Sequence, residues 1–259
     1  MKKIKYIYIG VLASAFLLGS CSDDFLKVEN PGGEPLEEYY TTDAHLQESV
    51  TAAYDPLHWP DWDGTAYNAL NIDAEIMGDD FYPGGSSITD NQHWHKLFNF
   101  EGDGNNTLST LWGDFYSGIK RCNDVLTYCA YDANKGNTNL PTYIEQARLL
   151  RVYYYNILWH YYGDIPFYLT NLSSPYQADQ ISADKVYENL IAEMEDILKN
   201  NVLPMRWDNA NAGRVSKAFA YMLYAELVMY QNDTQRYPQA LAYMKEIIDS
   251  GDYSLMSNF

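Results

Sequence analysis

The sequence predicts an all-α protein. Apolar residues recur at i, i+3 and i+4 over most of the chain from Leu108 onward. Those periodic segments are roughly 15–20 residues long and are separated by short polar turns, the pattern of paired antiparallel helices. Helix punctuation falls where the periodicity starts and stops: Thr42-Asp43, Pro141 and Ser182 open segments, and Gly163 closes one with Pro166 just beyond.

The first helix starts at Thr42-Asp43 and places Leu46, Val50, Ala53 and Tyr54 on one face, until Pro56 and Pro60 end it. From His58 to Gly104 the chain is rich in glycine and proline and reads as a long loop, a kind that is usually functional when ordered. Leu108, Leu111, Trp112, Phe115, Tyr116, Ile119, Val125 and Leu126 then share one amphipathic helix. Pro141 opens the next, with Ala147, Leu150, Tyr154, Leu158 and Tyr161 on its face. Val186, Leu190, Ile191, Met194, Ile197 and Leu198 follow behind Ser182. Segments 215–230 and 237–248 close the series. Ala225 and Ala240 are small residues where neighbouring helices can approach. These features carry a tetratricopeptide-like signal without the full repeat signature: divergent tetratricopeptide-like repeats with a long irregular insertion are the favoured reading, and an unrelated helix bundle is the other.

The N-terminus has a different origin. Lys2, Lys3 and Lys5 precede an apolar run from Ile7 to Leu18, then Gly19, Ser20 and Cys21. This is a secretory signal peptide, too short for a transmembrane helix of about 20 apolar residues. Leu18-Gly19-Ser20-Cys21 resembles a lipobox, in which the Cys21 thiol takes a diacylglycerol and becomes the new N-terminus. Several buried acyl chains anchor far better than one. The expected organisation is a signal peptide over 1–20, a lipidated tether over 21–40 and a helical-repeat domain over 41–259. Cys122 and Cys129 lie seven residues apart in a helix, roughly 10 Å between Cα atoms, so they read as free packed thiols beyond disulfide reach.

Removing the first 20 residues takes away three lysines and deepens the net charge from −18 to −21. Such a chain does not seek nucleic acid phosphate. Tyrosine is abundant, 25 of 259 residues. Each one brings apolar area and a hydroxyl that needs a partner, which suits polar seams between helices and also sugar sites.

Several clusters invite a chemical reading. Glu145 with Arg148 and Arg151 reads as a structural ion network, with Tyr153 to Tyr155 offering partners to the guanidinium groups. Asp73, Glu75, Asp79 and Asp80 read first as solvated loop acids, with glycosidase carboxylates or a calcium site as lesser readings. His93-Trp94-His95 has metal-ligand spacing but no identifiable third ligand, so no metal or other cofactor is expected. The aromatics Trp59, Trp62, Tyr67, Phe81, Tyr82 and Trp94 are interleaved with Asp61, Asp63, Asn68, Asn71, Asp79, Asn91 and Gln92. Sugars present apolar C–H faces ringed by hydroxyls, which flat aromatics and a few placed polar groups can match. Composition and order single out Trp59, Trp62, Asn91 and Trp94 as candidate contacts, with Asp73 as polar partner.

The stretch YIEQARLLRVYYYNILWHYYGDIPFYLT, Tyr143 to Thr170, resembles the central signature of the SusD/RagB family through Glu145, Arg148, Arg151, Tyr154, Tyr155, Tyr162, Gly163, Asp164 and Pro166. The upstream residues Leu111-Trp112, Tyr116, Ile119 and Cys122-Asn123 are similar too, as are the downstream Ala183 to Tyr187, Gly213 to Lys217 and Ile247 to Leu255. The resemblance implies a cell-surface, lipid-anchored outer-membrane protein that binds oligo- or polysaccharide. It also implies no catalytic activity and a SusC-like TonB-dependent transporter as partner. Asp23 and Asp24 then resemble the acidic export signal of surface lipoproteins. Family members run to roughly twice this length, so the chain reads as the N-terminal portion of such a protein. Two other classes remain open: a protein-binding helical adaptor that touches no glycan, and a surface glycosidase using the loop acids.

Overall fold

The computed structural model describes residues 33–61, 70–78, 80–103 and 108–256. Cys21 and Trp62 lie outside the described residues. Leu36–Tyr39 forms a short helix, α1, in the N-terminal unit, which ends at Tyr39.

The second unit, from Tyr40 onward, contains the helices expected from periodicity. They are α2 (Asp43–Tyr54), α5 (Ser109–Cys129), α6 (Leu140–Tyr162), α7 (Ala183–Asn200), α8 (Lys217–Tyr230) and α9 (Tyr237–Asp249). The stretch read as one long loop is interrupted by two short helices, α3 (Leu70–Met77) and α4 (Gln92–Phe98), and preceded by a 3-10 segment over Asp55–Asp61. A strand pair, β1 (Ile165–Pro166) with β2 (Gln180–Ile181), is antiparallel and closes the neck of the segment between them.

Local chemistry explains the boundaries. The Thr42 hydroxyl accepts from the His45 N–H and starts α2, and the Ser216 hydroxyl does the same for α8 through the Phe219 N–H. Gly163 takes φ +69° and ends α6, a conformation that costs a β-carbon-bearing residue. Tyr40 stacked on Tyr128 at 3.8 Å and Arg121 reaching the Ala52 carbonyl fix α2 antiparallel to α5.

Helices α5 and α6 run antiparallel, with Trp112 against Tyr162 and Asn123 against Arg151. They approach closely at Gly118: a β-carbon there would lie 2.6 Å from the Tyr154 ring. Helix α7 crosses back over α6, α8 over α7, and α9 over α8, where Tyr221 stacks on Tyr243 at 4.2 Å. Ala225 and Ala240 are both buried at this last contact, as their size suggests.

The tyrosines serve as seams. Tyr154 donates to the Ala53 carbonyl, Tyr162 to that of Leu108, Tyr161 to that of Leu70 and Tyr116 to that of Pro166. The Ala52 and Ala53 carbonyls belong to the last turn of α2, which has no intrahelical donors for them; Arg121 and Tyr154 supply the missing bonds.

The ion network holds α5, α6 and α7 together. Arg148 donates to Glu145, Glu193 and Asp196, and Arg151 to Glu193, Asn123 and the Leu169 carbonyl. The expected tyrosine partners are not used, because Tyr154 and Tyr155 spend their hydroxyls on backbone carbonyls. Burial pushes the Glu193 carboxyl up, but Arg148 and Arg151 outweigh it and hold the carboxyl below its usual range. Glu145, dominated by burial, is raised. Cys122 and Cys129 are free and buried. Among the described residues no helix is long and apolar enough to cross a membrane.

Candidate functional site

The candidate residues of the glycine-rich stretch are placed apart. Trp59 lies half-buried in the 3-10 segment, and the Arg121 guanidinium covers one face of its ring, 4.8 Å from the centroid. Asn91 is exposed, with φ +51°, immediately before α4. Asp73 and Trp94 are brought together. Asp73 sits on α3 with its side chain fully buried, and Trp94 packs half-buried on α4. Burial pushes the Asp73 carboxyl up to about 7, and the Trp94 indole partly offsets this. Neither carboxylate oxygen has a well-aligned hydrogen bond.

Glu75 and Asp80 are exposed, so burial separates them from Asp73. His95 is buried and no group of three or more His, Cys, Asp or Glu that could hold a metal occurs among the described residues. Among the described residues, the aromatics of this stretch that do face solvent are Phe81, Tyr82 and Phe100, with Tyr82 edge-on to Phe98 at 5.3 Å.

A concavity lies elsewhere. Trp112, Tyr116 and Lys120 fall at i, i+4 and i+8 on α5 and form one wall. The segment between β1 and β2 forms the other, through Tyr168, Leu172 and Tyr176 to Asp179. Two lobes of about 440 and 330 Å³ share Tyr116, Tyr168, Leu172 and Tyr176, so they are parts of one groove. Each is in the size range of small-molecule sites, about 300–1,000 Å³.

This groove has a rigid floor. The buried Tyr155 hydroxyl donates to the Tyr168 carbonyl at 2.7 Å and accepts from the Tyr168 N–H at 2.9 Å, fixing that backbone from both sides. Tyr116 donates to the Pro166 carbonyl at 2.7 Å, and its ring stacks on Tyr168 at 5.9 Å and 18°. Burial pushes the Tyr116 phenol well above its usual range, so it stays a neutral donor. The rim is polar. Gln177 and Asp179 lie at one end, and at the other the Asp124 carboxylate joins Lys120 to Asn171.

Residues 24–228 match a SusD-like family model described as starch-binding, associating with the outer membrane. The chain belongs to the SusD-like family. Solved structures similar to this SusD-like chain include surface glycan-binding protein A from Bacteroides uniformis. It is 57% identical over 83% of this chain and 48% of that one, with a TM-score of 0.80. The Bacteroides thetaiotaomicron protein A in complex with laminarihexaose is 48% identical over 84% and 45%, with a TM-score of 0.78. The Bacteroides fluxus protein A is 32% identical over 83% and 46%, with a TM-score of 0.77. The SusD-like chain thus spans about half the length of these structures. No curated protein matches it.

Sequence reasoning missed the groove in this SusD-like chain because its two walls read as other things. Trp112 and Tyr116 fit the apolar stripe of a helix, and Tyr168 to Asp179 follow the signature as an unremarked loop. The usable signal was Trp112, Tyr116 and Lys120 at spacing four, an aromatic stripe ending in a cation.

Proposed function

We propose that this protein captures oligo- or polysaccharide at the outer face of the outer membrane, tethered through acylated Cys21, and passes it to a TonB-dependent transporter. The observation that carries this reading is the similarity to surface glycan-binding proteins A at 57% and 48% identity, one of them solved with laminarihexaose. The surface chemistry supports it. Aromatic faces stand open beside amides and carboxylates, and the net charge of −18 suits an uncharged ligand better than an anionic one. The reading is of a binder that releases its ligand unchanged.

The test is migration in native gels containing laminarin, starch, mannan or xylan, with product analysis of the same mixtures. Retardation by one of them without cleavage products is the expected result. Unretarded migration in all of them contradicts the reading, and released sugars contradict the non-enzymatic part.

A second reading, docking onto another protein, is favoured by the outer faces of α8 and α9, where Met222, Met229, Leu241 and Ile248 are exposed. A protein neighbour would cover such apolar surface.

A further inference from the structure

We infer that the groove between α5 and the β1–β2 segment is a glycan subsite, separate from the aromatic stretch around Trp59 and Trp94. This inference rests on the glycan-binding reading above and names the surface that carries out the binding.

Three features of the groove match a linear chain of pyranose rings. First, its aromatic rings form a continuous strip. Trp112, Tyr116 and Tyr168 are locked against one another, with Trp112 4.8 Å from Tyr116 and Tyr116 stacked on Tyr168. An apolar sugar face meets surface that is already ordered, so little side-chain entropy is lost on binding. Second, hydroxyl-bearing groups are unspent. The hydroxyls of Tyr168 and Tyr176 make no hydrogen bond among the described residues, and Gln177 is likewise available. By contrast the tyrosines inside the helix stack are bonded to carbonyls. Third, the two lobes lie end to end along α5, so two consecutive rings fit better than one.

Tyr176 is the distinctive residue. Its side chain is 74% exposed, yet it borders both lobes. Its φ is +57°, a conformation rare for a bulky side chain, held by its N–H donating to the Ser173 carbonyl at 2.7 Å. A large aromatic held exposed in a costly conformation contributes little to folding. Strain of this kind gathers at ligand contacts. Tyr176 closes over the shared part of the groove and stacks on the bound ring.

The occupant is a neutral polysaccharide rather than an anion. Among the described residues, the cation lining the groove is Lys120, which is neutralised by Asp124 at 2.7 Å, and Asp179 adds negative charge at the other end.

Two variants test this on the full chain. Tyr176→Asn removes the ring and keeps a residue that tolerates positive φ. Gly113→Leu fills the second lobe from the exposed face of α5, where a β-carbon meets nothing within 4 Å. Leucine also favours the helix more than glycine does, so the fold is retained. Phe81→Ala, on the exposed part of the other aromatic stretch, is the comparison. Each is titrated with the polysaccharide that retards the wild type, and its melting temperature is recorded.

The expected result is an affinity loss of about ten-fold or more for both groove variants, with melting at or above the wild-type value and Phe81→Ala unchanged. Wild-type affinity in both groove variants overturns the subsite and leaves the glycan-binding reading standing. A wild-type protein that binds none of the four polysaccharides overturns both.

Discussion

Asp73 is the residue least at ease in the molecule. It is fully buried on α3, faces Trp94 of α4, and adds to the effect of burial in raising the phenols of Tyr161 and Tyr162 on α6. Its pKa is about 7 in the fold against an ordinary value of 3.8. The native state therefore keeps a proton that the unfolded chain releases between those values, and stability falls as pH rises from about 4 to 7. Above pH 7 the loss is complete. Asp73→Asn is expected to match the wild type near pH 4 and to exceed it at pH 8 by roughly 4 kcal/mol, the linkage value for a carboxyl moved from 3.8 to about 7. Urea unfolding at the two pH values checks this. A variant less stable than wild type at pH 8 would mean that the ionised carboxylate is held by a favourable partner. The sequence showed Asp73 as one acid among several. Its burial depends on α3 packing against the Tyr161–Tyr162 end of α6, which no local pattern encodes.

At the scale of elements, helix periodicity was a reliable guide wherever a segment was long enough to show it. The ends of α2 and α6 follow from Thr42 and Gly163 as read. Helices α3 and α4 were not legible, because each spans about two turns and glycines and prolines surround them. The contact between α5 and α6 has a sharper signature. Gly118 allows the Tyr154 ring to lie where a β-carbon would be, and the Tyr154 hydroxyl is pinned to the Ala53 carbonyl, so the ring has little room to yield. Gly118→Ala is expected to lower stability by about 1–3 kcal/mol, as overpacking does, despite alanine's better helix propensity. A denaturation midpoint equal to or above the wild type would show that the two helices separate without cost. The Glu145–Arg148–Arg151 motif was legible as a structural network, yet its main partners, Glu193 and Asp196, come from α7, some 45 residues on. Periodicity gives a helix its face but does not name its neighbour.

For the molecule as a whole, the fold and the family were legible from the order of motifs along the chain, and residues 24–228 match that family. The site was less so. A groove built from one helix stripe and a loop closed by the Ile165–Ile181 strand pair exists only after the chain has folded. Titration calorimetry of the folded chain with laminarihexaose at pH 7 measures glycan capture itself. Saturable heat is expected, with a Kd between about 1 µM and 1 mM, equivalent to roughly −8 to −4 kcal/mol, and no change in the sugar afterwards. The absence of any binding heat at millimolar laminarihexaose, together with none for starch, mannan or xylan oligosaccharides, would contradict glycan capture.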